Sequence, residues 1–231
     1  MQENLKVFKK IADNKQFIEK TFHSNLNKDI IIRTFLTPGG VECLVVYIDG
    51  MASSDAVNDF IVRPLMQCKE KEFNKYNILQ YNDCTKTPDL KTVESRILKG
   101  DTAVFTEGAA DCAMCETKGF ERRSVSSPMT ESVVKGSQEA FNENIRSNIT
   151  LIRRTVKSSS LITEMIDVGD ISGEICAVLY LDNVTDKRLV NEVKRRLSNI
   201  SADYVSGSGM IEQMIADSKL SVFPSVLPSV R

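Results

Sequence analysis

Cys43–Arg63 reads CLVVYIDGMASSDAVNDFIVR, and Cys176–Arg196 reads CAVLYLDNVTDKRLVNEVKRR. The two stretches align without a gap at an offset of 133 residues (176 − 43). Seven of the 21 positions are identical: Cys43/Cys176, Val45/Val178, Tyr47/Tyr180, Asp49/Asp182, Val57/Val190, Asn58/Asn191 and Arg63/Arg196. Chance supplies about one or two, so the offset marks an internal repeat. Each copy opens on an almost wholly apolar run, which suits a strand buried on both faces. Each then offers an N-cap, Ser53 or Ser54 and Thr185 or Asp186, for a following helix.

The similarity extends outward from this kernel. Upstream, Val7, Ile11, Asn14, Phe17, Ile18 and Thr21 face Phe141, Ile145, Asn148, Leu151, Ile152 and Thr155 at an offset of 134. Downstream, Val93, Glu94, Ile97, Val104 and Phe105 face Ile211, Glu212, Ile215, Val222 and Phe223 at an offset of 118. The expected fold is therefore α/β, with two similar tandem subdomains, each a small mixed sheet with helices in the order α-β-β-α-β-α-β. The expected boundaries are 1–108 for the first subdomain, 109–136 for a connecting segment and 137–231 for the second.

The spacing predicts opening helices at about Leu5–Phe22 and Gln138–Lys157, and hairpins of Ile30–Leu36 with Glu42–Ile48 and of Leu161–Val168 with Ile175–Leu181. Third strands are expected at Asn77–Tyr81 and Ala202–Val205. A helix opened by Pro88 and closed by Gly100 has its counterpart around Met210–Ile215. Last strands fall at Thr102–Phe105 and Leu220–Phe223. In the connecting segment Ala110–Thr117 reads as a strand added at an edge. Pro64 is expected to end or kink its helix at Arg63, whereas Leu197 lets the second copy's helix run on. That second helix is basic, with Lys187, Arg188, Lys194, Arg195 and Arg196, and reads either as a solvated face or as a docking surface.

Composition is that of an ordinary globular chain, with 42% hydrophobic and 26% charged residues over 231 positions. A net charge of −1 gives no indication of nucleic acid or an anionic membrane as partner. The longest clean apolar run, Cys43–Ile48, is far shorter than the roughly 20 residues a membrane helix needs. Met1–Lys20 is Lys-rich and lacks the apolar core of a signal peptide. The six cysteines are scattered and are expected to be free thiols in a reducing, cytosolic setting.

Chemistry-bearing motifs are sparse. Cys112 and Cys115 form the single CxxC, but residues three apart on a strand point to opposite faces, which disfavours a redox or zinc reading. Asp49 and Asp182 end the two apolar strands, where α/β proteins often place ligand groups. They are weak ligand candidates against a plain turn role. There is no phosphate loop, no nucleophile elbow and a single histidine, His23, so no catalytic residue, metal site or cofactor is assigned and an enzyme is not expected.

Glu121–Arg154, ERRSVSSPMTESVVKGSQEAFNENIRSNITLIRR, joins the copies. Arg123, Val125, Pro128, Glu131, Val134, Gly136, Phe141, Glu143, Asn148, Leu151, Ile152, Arg153 and Arg154 stand here in the order and spacing of the GerA-type spore germinant receptor A subunit signature. The rest of the chain resembles that family's N-terminal region. One departure is Gln138, where many members carry a basic residue. Glu143 and Arg146 could pair along their own helix, or the arginines could reach a neighbouring copy or subunit.

The resemblance implies a domain without chemistry of its own, acting in nutrient-triggered germination by subunit assembly and signal coupling. It implies a place on the cytosolic side of the spore inner membrane beside B and C subunits and other A subunits, with membrane helices beyond residue 231. Interaction candidates are Arg123, Pro128, Glu131, Gly136, Phe141, Glu143, Asn148, Arg153 and Arg154. The alternative function is binding of a small ligand between the two lobes.

Overall fold

The structure, a computed structural model, describes residues 5–69, 75–79, 84–119, 141–170, 173–205 and 207–216. Helix α1 (Ile11–Thr21) leads into a hairpin of β1 (Ile30–Leu36) and β2 (Glu42–Ile48), paired from Ile30↔Ile48 to Leu36↔Glu42. Next come α2 (Ser54–Val57), a π-helical turn (Asn58–Val62), α3 (Arg63–Gln67), α4 (Lys75–Ile78), β3 (Cys84–Thr87), α5 (Leu90–Ile97), β4 (Thr102–Thr106) and β5 (Cys112–Cys115). The five strands form one sheet in the order β1-β2-β4-β5-β3. Every pairing is antiparallel, so the sheet expected as mixed has no parallel pair among the described residues.

The period of two explains why this sheet has two cores. Leu44, Val46 and Ile48 of β2, with Ala103, Phe105, Cys112 and Met114, meet α1 and α5 on one face. Val45, Val104, Ala113 and Cys115 meet Val57, Ile61, Val62 and Leu65 on the other. Strand β4 is buried at all five positions because it lies between β2 and β5 and is covered on both sides.

Three expectations in this half are corrected. The strand within Ala110–Thr117 is not an edge: β5 is buried throughout and lies between β4 and β3, as its small and apolar residues permit. The third strand expected at Asn77–Tyr81 starts on a helix, Lys75–Ile78, and its residues 80–81 lie outside the described residues; β3 takes the place of the third strand. Pro64 does not end its helix. The Arg63 amide donates to the Asn58 carbonyl, five residues back, so the helix slips by one position just before the proline. Pro64 then occupies the first turn of α3, where its missing N–H leaves no bond unmade.

The cysteines also depart from expectation, since Cys84 and Cys115 face each other across β3 and β5 and are joined by a disulfide. Cys43, Cys68, Cys112 and Cys176 are free. Cys112 and Cys115 do lie on opposite faces of β5, in separate cores.

The later half contains α6 (Ile145–Thr155), the hairpin β6 (Leu161–Val168) and β7 (Glu174–Leu181), α7 (Lys187–Ser198) and α8 (Ser208–Ile215). The hairpin pairs from Leu161↔Leu181 to Val168↔Glu174 and is two-stranded among the described residues. The extent of α6 matches α1 at an offset of 134. Asp186 caps α7 as Ser53 caps α2, an offset of 133. Ala202–Val205 is not a strand, and Leu220–Phe223 lies outside the described residues.

Helix α8 departs from its expected role. Its Ile211, Met214 and Ile215 join Val193 and Leu197 of α7 on the face bearing Cys176 and Val178, and Arg196 Nη1 donates to the Ile215 carbonyl at 2.8 Å. In the first half α5 lies on the opposite face, with α1, and α4 is the helix beside α3. By packing, α8 is the counterpart of α4 rather than α5, although its length and offset of 118 match α5.

Phe105 is fully buried in the α1–α5 core. Phe105→Ala is expected to lower stability by about 3–5 kcal/mol in urea titration.

Candidate functional site

The junction of the two halves is built on α6. Asn144 caps this helix, accepting from the Arg146 and Ser147 amides, so α6 starts there and not near Gln138. Asn148 then clamps the entering chain: Asn142 N–H donates to its Oδ1 at 2.8 Å, and its Nδ2 donates to the Asn142 carbonyl at 2.7 Å. Asn14 makes the same pair of bonds with Phe8, at 3.0 and 2.6 Å, in front of α1. Both clamps reach back six residues and stand 134 residues apart.

Arg153, in the last turn of α6, points into the interior with 1% of its side chain exposed. Its Nε donates to Asp29 Oδ2 at 2.7 Å and its Nη2 to Asp29 Oδ1 at 3.0 Å, a bidentate pair across the halves. Nη1 donates to the Leu161 carbonyl at 3.0 Å, and Nη2 also reaches Asn27 Oδ1 at 3.1 Å and Thr163 Oγ1 at 3.3 Å. Asn27 completes the knot by accepting from the Thr163 amide at 2.6 Å and donating to the Phe22 carbonyl at 2.6 Å. A planar guanidinium fits such a set of acceptors where an ammonium would not.

A second contact flanks this knot. Gly50, at the end of β2, holds φ +78, and a Cβ there would lie 2.3 Å from Thr150 Oγ1 of α6. The helix can approach β2 this closely because position 50 has no side chain. Arg146 pairs with Asp49 at 3.5 Å, and not with Glu143, which precedes the helix.

The residues singled out from sequence therefore separate. Arg123, Pro128, Glu131 and Gly136 lie outside the described residues. Phe141, which falls within the helix expected over Gln138–Lys157, precedes α6 and is 50% exposed. Glu143 is exposed and Arg154 half-buried. Asp49 accepts from Ser54 and pairs with Arg146, while Asp182 is bound by Lys187, which holds its carboxyl below the usual range. Both aspartates thus serve turns and ion pairs of their own chain. No three His, Cys, Asp or Glu side chains gather as a metal site, and no helix is long and apolar enough to cross a membrane, among the described residues.

Sequence reading missed a second buried charge. Lys75 is nearly inaccessible and donates to the Asp111 carbonyl at 2.7 Å while pairing with its carboxylate at 2.7 Å. Tyr76 donates to the same carboxylate at 2.7 Å and Lys86 pairs with it at 3.1 Å. Burial alone would raise the Asp111 carboxyl, but hydrogen bonds from Lys75, Tyr76 and Lys86 outweigh it and hold the group at about 2. This cluster fastens α4 to the chain entering β5. Burial pushes the Cys43 and Cys112 thiols up to about 12, the opposite of what a reactive cysteine needs.

The family model described as "Bacillus/Clostridium GerA spore germination protein" matches residues 16–231. The chain is 30% identical over 203 residues to the "Uncharacterized membrane protein YfkQ" of Bacillus subtilis, covering 86% of this chain and 40% of that protein. It is 29% identical over 234 residues to "Spore germination protein KA" of the same organism, covering 96% and 41%. It thus spans about two fifths of the length of these relatives. The N-terminal domain of the A subunit of the Bacillus megaterium spore germinant receptor GerK3 superposes with a TM-score of 0.71 at 21% identity, covering 97% of this chain and 85% of that one.

Two outcomes test the site. Arg153→Ala strands Asp29 without its buried partner and is expected to cost about 3–5 kcal/mol in urea titration, with Arg153→Met less damaging. Because the Asp111 carboxyl is depressed, its contribution is present above about pH 4 and is lost as pH falls towards about 2. Asp111→Asn should flatten acid unfolding in that window by on the order of 1 kcal/mol after solvent screening.

Proposed function

Because this chain belongs to the GerA spore germination family, we propose that it is the cytosolic N-terminal domain of a germinant receptor A subunit, coupling nutrient sensing to the membrane assembly without chemistry of its own. The observation that carries this reading is the buried Arg153–Asp29 pair. It fixes the later half against the earlier one, and its arginine lies in the stretch that bears the family signature. A signal that changes the relation of the halves must work against this knot, so the junction is the natural relay.

The proposed setting is the spore inner membrane, with B and C subunits and further A subunits as partners. Contacts there can be weak in isolation, because tethering to a membrane raises the effective concentration of neighbouring domains. The exposed Phe141 and Glu143 in front of α6 are then available to a partner, whereas Arg153 acts inside its own chain.

The test uses the full-length A subunit in sporulating cells. Arg153→Met, which keeps much of the side-chain volume, is expected to leave the subunit present in spores while slowing nutrient-triggered germination and reducing co-purification of B and C subunits. Normal germination and normal recovery of both partners from spores with that variant would refute the reading.

A further inference from the structure

Strand β2 is paired on both sides, by β1 and by β4. Its counterpart β7 is paired with β6 alone among the described residues. In the first half, the β2 face bearing Leu44 and Val46 is closed by Ala103 and Phe105 of β4 and by Leu90, Val93 and Ile97 of α5. At the offset of 133, Leu44 and Val46 correspond to Ala177 and Leu179, which are only half-buried. Beside them on the same face Ile175 is 56% and Met165 37% exposed. Helix α8 does not cover this face, because it packs with α7 on the other.

We propose that the outer edge of β7, with the apolar face bearing Met165, Ile175, Ala177 and Leu179, is the docking site of a strand that follows Arg231 in the parent chain. Two observations select this occupant. By packing, α8 corresponds to α4, and in the first half β4 begins 24 residues after α4 ends (102 − 78). The same spacing from the end of α8 reaches residue 239 (215 + 24), past Arg231. The fifteen residues 217–231 (231 − 216) are too few to supply both a helix like α5 and the strand after it. The relatives provide the length, since the chain covers 40% and 41% of two of them.

The first half also gives the register. Cys43, Leu44, Val45 and Val46 oppose Thr106, Phe105, Val104 and Ala103 in antiparallel pairing. The docked strand pairs antiparallel with Cys176–Leu179 in the same manner, and is apolar on both faces, as β4 is. An open edge beside exposed apolar residues otherwise invites pairing with another molecule. This inference is independent of the coupling reading, since it concerns how the later half is completed and not what the receptor does with it.

Amide hydrogen exchange tests it, comparing residues 1–231 with a chain extended by about 40 residues of the parent reading frame. The amides of Cys176–Leu179 that point away from β6 are expected to exchange at least about 100-fold more slowly in the extended chain. Amides bonded between β6 and β7 serve as the internal reference and should be protected in both. Equal exchange of the outward amides in the two chains overturns the proposal. So does protection of the shorter chain that grows with its concentration, which would make a second copy the occupant. A reading frame that closes at Arg231 overturns it outright.

Discussion

Arg153 has been taken out of water at a place where α6, β6 and the chain between α1 and β1 meet. Desolvating a cation is costly, and the cost is met only if each donor finds an acceptor of good geometry. Asp29 supplies the opposite charge, and Asn27, Thr163 and the Leu161 carbonyl take the remaining donors. None of these acceptors lies on α6, so the arginine is satisfied only when residues from both halves are in position. Apolar packing tolerates sliding, but a bidentate pair with three further bonds does not. The relative placement of the halves is specified here rather than by their cores.

The two cores behave differently. The five-stranded sheet is covered on both faces and has a fully buried central strand. The hairpin half has one closed face and one partly open, and its helix α8 has no fully buried residue. Such a unit gains less from burial per ordered residue, so its order depends more on what it is joined to. The Arg153 knot is one such attachment, and the Gly50–Thr150 approach is another.

Much of this was legible in sequence because it rests on periodicity. The two hairpins, an N-cap at Ser53 or Ser54 and at Thr185 or Asp186, and the opposite facing of Cys112 and Cys115 on β5 all follow from residue type and spacing. The offset of 134 even extends to a side-chain device, the Asn14 and Asn148 clamps. What spacing cannot give is which side of a sheet a helix chooses. The packing of α8 differs from the role its spacing predicts because eight residues of matching length say nothing about packing direction. Nor does pattern reveal that Lys75 and Asp111, 36 residues apart, share a buried site. The same limit applies to Arg153: its planar guanidinium suits a carboxylate of a neighbouring copy or subunit, but spacing does not single out Asp29, 124 residues away.

The placement of the free thiols has a practical corollary. Cys43 and Cys112 lie within the five-stranded sheet at 0% exposure, and burial holds both as neutral thiols far above physiological pH. A thiol in that state does not react with alkylating reagents until the strands around it part. The protein thus carries two native reporters on the interior of its larger sheet. Their modification by a small reagent, read separately from that of the more accessible Cys68 and Cys176, counts the molecules that have opened.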